Sequence, residues 1–247
     1  MVITSRKLQD QLGVNSKIAD YFANERPVPV DNLFWKNKRI YISGGFGFLT
    51  IPLAFDLIHK SGVPLESLLN DEHVSLMEKG FHFLKQYENS EISFQQFFDE
   101  CRKLLNSSIK QKKFAKDLFN ALSGNATDFF QFEIKHKALA RSDAFLFTLV
   151  DLELTDEWVE NFLPYWYSLA RPILLLDDFK DLPEDRHNKE ENTIIELGNN
   201  ADGIRAAHEL GIKDLEKLST INPKLAKYML NSFNESLLYD HIQTELG

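Results

Sequence analysis

Four aspartates close an apolar run in the segment Leu174-Leu175-Leu176-Asp177-Asp178-Phe179-Lys180-Asp181-Leu182-Pro183-Glu184-Asp185. An α-helix turns about 100° per residue, so steps of four and eight drift by only about 40° and 80°. Asp177, Asp181 and Asp185 therefore share one side of a helix, with Asp178 beside them. Crowded carboxylates are costly to keep ionised without water or a counterion. Solvation on an outer surface is one answer. A hard divalent cation such as Mg²⁺ is the other, because it takes one or two carboxylates and completes its shell with water and substrate phosphates.

The elements that deliver these acids favour the second answer. The preceding residues, Pro164 to Leu176, read PYWYSLARPILLL, with a single arginine among apolar or weakly polar neighbours. A helix that is apolar on nearly every side is buried, and it carries the aspartates to the mouth of an interior cavity. The wider chain fits a helical protein with a bulky aromatic interior: 247 residues, 43% hydrophobic, 26% charged and 20 phenylalanines. A net charge of −9 argues against a general nucleic-acid binder, which carries a basic patch. The one cysteine, Cys101, reads as a small buried residue in a reducing compartment, so a cytoplasmic location is expected. The opening MVITSRKLQDQLGV has no apolar signal-peptide core, and no run reaches 18 apolar residues, so no membrane span is expected.

Helical periodicity dominates the rest. An amphipathic helix over 5–24 leads into a linker containing Pro27 and Pro29 within the first 30 residues. Further helices are expected over 46–60, stopped at Ser61-Gly62, then over 72–88, 93–106 with Ser93 as N-cap, and 109–122 closed by Ser123-Gly124. A long apolar-faced segment over 127–150, with Asp128 to Phe132 as a helix start, precedes helices over 157–182, 202–218 and 222–245. The expectation is an all-α protein: one helical domain over 1–247, a bundle of about nine to ten helices around a central cavity. Gly44-Gly45-Phe46-Gly47 lacks the lysine and the strand of a phosphate-binding loop and reads as a helix break. The seven histidines show no metal-ligand spacing.

From about residue 128 onward, the order of features resembles trans-prenyl diphosphate synthases, members of the class I isoprenoid (terpenoid) synthase superfamily. Ala140-Arg141-Ser142-Asp143-Ala144-Phe145-Leu146-Phe147 is similar to the family's substrate-binding helix ending in Leu-Phe. Tyr167-Ser168-Leu169-Ala170 leads into Asp177-Asp178-Phe179-Lys180-Asp181, which resembles the second aspartate-rich motif, with Asp185 as the acid at i+8. Lys189 to Gly198 resembles the lysine-containing segment that follows, and Gly203 to Leu218 the alanine-rich helix after it. Lys38-Arg39-Ile40 stands where a diphosphate-binding segment is expected. The first aspartate-rich motif has no counterpart: Asn70-Asp71-Glu72 and Phe97-Phe98-Asp99-Glu100 lack its spacing and read as helix-terminal surface acids.

The resemblance implies a Mg²⁺-dependent enzyme that ionises an allylic prenyl diphosphate, by prenyl transfer or terpene cyclisation. Asp177, Asp178, Asp181 and Asp185 are then the metal ligands. Arg141, Lys189, Lys38 and Arg39 take the phosphate oxygens, and Phe145 and Trp166, with Phe147, Phe162 and Tyr167, line the hydrocarbon pocket, where π-faces stabilise a carbocation. Family members are commonly homodimers. The missing first motif implies an alternative: a non-catalytic subunit of the same fold that pairs with a partner synthase.

Overall fold

A computed structural model describes residues 4–43, 46–133 and 136–247; Gly44 and Gly45 lie outside it, as do the side chains of Phe46, Lys137, Ala140 and Arg141. The described residues are all-helical, with thirteen α-helical segments and no strands. The expectation of nine or ten undercounts because several segments are four to seven residues long, such as Leu65–Leu68 and Thr193–Glu196. Periodicity needs a window of some eleven residues to register, so single turns stay invisible to it.

The longer helices fall close to their expected bounds: Phe46–Lys60, Asp71–Glu88, Phe94–Leu105, Lys112–Leu122 and Ala201–Ser219. Ser93 closes a capping box with Gln96, its hydroxyl accepting from the Gln96 amide while the Gln96 side chain accepts from the Ser93 amide. Gly62, at φ 108°, follows the end of Phe46–Lys60.

Three expectations need correction. The N-terminal helix is broken into Ser5–Asp10 and Ser16–Asp20, followed by a π-helical turn over Tyr21–Glu25. Gly13 sits between them at φ 66°, and Asn15 caps the second piece. The helix expected over 222–245 is likewise two, Pro223–Ser236 and Asp240–Leu246. The segment 127–150 is not one helix. Its start is irregular because buried Asp117 accepts from the backbone amides of Asp128, Phe129 and Phe130, at 3.0, 2.5 and 2.8 Å. A carboxylate satisfying three amides competes successfully with a helical turn. Downstream lie a short helix, Lys137–Ala140, and a 3₁₀ helix, Arg141–Leu149.

The chain forms two compact units. The first comprises Met1–Gln9, Val14–Phe132 and Asp143–Phe162. Its interior is aromatic: Phe22 meets Phe55 edge-on at 4.9 Å and stacks on Tyr41 at 5.4 Å, while the buried Trp35 indole donates to the Tyr41 carbonyl at 2.8 Å. Arg26 is held by Glu78 through two 2.8 Å bonds and by Asp71, tying the N-terminal segment to the helix Asp71–Glu88. The second unit comprises Asp10–Gly13, Glu133–Ser142 and Leu163–Gly247. Its core packs Phe179 against Phe233, and Gly211 lets the Phe233 ring approach the helix backbone: a β-carbon there would lie 2.2 Å from the ring.

Candidate functional site

The acidic segment belongs to the helix Asp156–Asn188, which runs six residues past its expected end and contains Pro164, Pro172 and Pro183. A proline inside a helix removes the amide that would serve the carbonyl four residues earlier. For Pro183 that carbonyl is Phe179, and it accepts instead from His241 Nε2 at 2.8 Å. Since a carbonyl only accepts, Nε2 carries the hydrogen. The 157–182 expectation therefore ends too early, because a residue 62 positions away completes the helix's hydrogen bonding.

Continuity through Pro183 sorts the four aspartates into two pairs. Asp178 and Asp185 are seven residues apart, only about 20° on a helix, whereas Asp177 and Asp181 are about 40° apart on a neighbouring side. Asp178 is 1% exposed and accepts from the Thr193 amide at 3.0 Å. Asn192, itself buried, donates through Nδ2 to the Asp178 carbonyl and to Asp185 Oδ2, both at 2.8 Å, and its Oδ1 caps the Ile194 amide at 2.9 Å. Asp178 and Asp185 thus fix the turn that reverses the chain into the short helix Thr193–Glu196. Lys189 occupies that turn at φ 59°, exposed, and the Glu190 amide donates to the Asp185 carbonyl at 2.9 Å. Asp177 is exposed; Asp181 is partly exposed and accepts from Lys180 at 2.7 Å.

This donor set limits a metal. Among the described residues, no group of three or more His, Cys, Asp or Glu side chains is arranged to hold an ion. Asp177 and Asp181 are two carboxylates one turn apart, a set that suits Mg²⁺ only when water and phosphate oxygens supply the rest of its shell.

The remaining expected residues are distributed as follows. Trp166, 1% exposed, lies in the second unit, as does buried Tyr167, whose hydroxyl accepts from the Glu133 amide at 3.2 Å. Arg171 stands over the Tyr167 ring at 5.4 Å and forms a two-bond ion pair with Asp214, at 2.8 and 2.5 Å. That pairing explains the lone arginine of the apolar run. Arg141 opens the 3₁₀ helix, and its side chain lies outside the described residues. Lys38, Arg39, Phe145, Phe147 and Phe162 belong to the first unit. Lys38 is exposed, with its ammonium 5.1 Å from the Phe48 ring centre, and Arg39 is exposed. Phe145 meets Phe81 at 5.9 Å; Phe147 packs with Phe119 at 5.0 Å, and Phe162 stacks on Trp158 at 4.6 Å.

Asp71 lies in the first turn of a helix whose N-cap is Asn70. Sequence reading missed Asn192 and His241 as structural partners of the acidic helix. Neither carries a local signal, since each acts on a carbonyl or carboxylate brought to it by the fold.

Comparison with family models, with curated proteins and with solved structures finds no match to this chain. No helix among the described residues is long and apolar enough to cross a membrane.

Proposed function

We propose that the chain is a class I isoprenoid synthase-like protein that binds Mg²⁺ and a prenyl diphosphate at Asp177 and Asp181, and ionises the diphosphate. The observation that carries this reading is the division of labour among the four aspartates. Asp178 and Asp185 stabilise the turn, whereas Asp177 is exposed and Asp181, one helical turn on, is partly exposed and paired with Lys180. The order of motifs around them supports the same reading.

Bound Mg²⁺ supplies Lewis acidity toward the departing diphosphate. The chain's own contribution is positional. The helix Asp156–Asn188 keeps Asp181 one turn from Asp177, and the Asn192 clamp closes the turn in which Lys189 stands. Lys189 and Arg141 are assigned to phosphate oxygens, and Trp166 to the hydrocarbon chain. A cytoplasmic homodimer is the assembly this reading carries with it.

A second reading, a non-catalytic subunit of a partner synthase, is favoured by the same hydrogen bonds: two of the four acids are consumed structurally, and Asp181 is paired with Lys180. Pyrophosphate release separates the two. The enzyme releases pyrophosphate from allylic prenyl diphosphates only with Mg²⁺, and the Asp177→Asn/Asp181→Asn variant loses release while keeping its helical circular dichroism. No release from substrates of any chain length removes catalysis by the chain alone and leaves the subunit.

A further inference from the structure

Within the first unit, residues 26–35 form a strap tied to the helix Asp71–Glu88. Arg26 fastens one end through Glu78 and Asp71. Further along, Asn32 Nδ2 donates to the Glu78 carbonyl at 2.6 Å, and the Leu33 amide donates to His82 Nδ1 at 3.2 Å. Between these ties lies a cleft of about 490 Å³, with Val28, Pro29 and Asp31 on the strap side and Ser75, Lys79 and His82 on the helix side. Val30 is 82% exposed, so this stretch is held more by its ties than by burial.

The tie at His82 differs in kind from the others. A backbone amide only donates, so Nδ1 is the hydrogen-free nitrogen, and the hydrogen of the neutral ring sits on Nε2. A second proton goes onto Nδ1, and two donors then face each other. Other histidines stand the opposite way. His59 Nδ1 faces the Val63 carbonyl at 2.9 Å, His241 Nε2 faces the Phe179 carbonyl at 2.8 Å, and His73 Nδ1 lies 3.0 and 2.9 Å from the two Asp151 carboxylate oxygens. Protonation keeps those contacts or strengthens them. At His82 it abolishes the contact.

Histidine is the side chain that ordinarily changes charge between about pH 5 and pH 8, a range in which carboxylates and ammonium groups ordinarily keep theirs. The charged groups at the cleft are Asp31 on the strap, and Glu78 and Lys79 on the helix. Glu78 is engaged by Arg26, so that end of the strap stays fastened in mild acid. Trp35, buried and bound to the Tyr41 carbonyl, holds the other end.

We propose that the strap is an acid-released latch: neutral His82 holds the Leu33 amide, and protonation of Nδ1 loosens residues 28–33 and opens the cleft beneath them. The Asn32 bond is then the remaining hydrogen bond between the middle of the strap and the helix among those described.

Hydrogen exchange of the full chain, read amide by amide by NMR and corrected for the intrinsic pH dependence of exchange, tests this. Protection of the Leu33 amide is expected to be about fivefold lower at about pH 5 than at about pH 7.5, the size of one lost hydrogen bond. Protection of the Ala115 amide, which donates to the Gln111 carbonyl at 2.9 Å, stays unchanged. Asparagine places a non-titrating oxygen acceptor where Nδ1 stands, so His82→Asn keeps Leu33 protected at both pH values, whereas His82→Phe lowers its protection at both. Circular dichroism verifies that each variant is folded, and the comparison within the parent chain stands without them. The proposal is overturned by Leu33 protection in the parent chain that does not change with pH, by an equal fall at Ala115, by a fall in His82→Asn as large as in the parent chain, or by ring nitrogen shifts that place the His82 hydrogen on Nδ1 at neutral pH.

Discussion

Removing the Asp178 side chain separates its structural role from that of its sequence neighbour. In Asp178→Ala the buried Thr193 amide loses its acceptor at 3.0 Å, while the Asn192 bond to the residue-178 backbone carbonyl is kept. A hydrogen bond to a charged group, broken so that the buried donor is left unmade, costs about 2 kcal/mol. For a chain of this size each kcal/mol moves the melting temperature by about 2–4 °C, so the expected drop is about 4–8 °C. Asp177→Asn changes an exposed residue of the same helix, and its effect stays within about 0.5 kcal/mol, or under about 2 °C. Thermal unfolding followed by circular dichroism at 222 nm compares the two in one buffer. Equal melting temperatures for Asp178→Ala and the parent chain, or a loss in Asp177→Asn as large as in Asp178→Ala, refutes the assignment of Asp178 to the turn and of Asp177 to the open side.

Other perturbations have equally definite outcomes. Gly211→Ala forces a β-carbon to within 2.2 Å of the Phe233 ring; overpacking costs about 1–3 kcal/mol, outweighing the better helix propensity of alanine, and urea unfolding should show a lower midpoint. His241→Ala leaves the Phe179 carbonyl at Pro183 without its donor, for a loss of about 1 kcal/mol by the same method, whereas His241→Gln, which can still donate, recovers part of it. Burial pushes the Cys101 thiol up to about 12, so at pH 8 only about one molecule in 10⁴ is thiolate; native protein should resist a thiol reagent such as DTNB, and urea should release rapid labelling. Burial also raises the Asp56 carboxyl, opposed by Lys60 and by the Asn15 amide. A raised folded value means that this group's stabilisation is present below its unfolded value and lost as pH rises through the folded one. Asp56→Asn should therefore gain stability relative to the parent chain as pH rises from about 4 through the raised folded value, as read from paired urea curves.

How far the sequence reaches is clearest where local signals and distant partners meet. The helices Phe46–Lys60, Asp71–Glu88, Phe94–Leu105, Lys112–Leu122 and Ala201–Ser219 are legible because periodicity, caps and stop signals are written within each segment. The clustering of the four aspartates on one helix was legible for the same reason: their spacing is a property of 3.6 residues per turn. The fate of each carboxylate was not. Asp178 and Asp185 point to a turn whose Asn192 sits seven residues beyond the second of them, and that turn forms only because the chain reverses there. Pro183 reads locally as a helix end, and only His241, supplied by the last helix, lets the backbone continue. Asp117 overrides the helix start expected at Asp128 by taking three amides eleven to thirteen residues away.

The same division governs chemistry. Residue types alone established an all-helical, acidic, aromatic-rich chain with one concentrated set of metal-capable ligands. Tertiary structure decided which of those carboxylates are used in the turn and which are more exposed, and it built the His73–Asp151 pair from residues 78 positions apart. Periodicity and capping act over one or two turns, so they are written in neighbouring residues. Hydrogen bonds between distant side chains depend on where the packed backbone delivers each group, which no local pattern encodes.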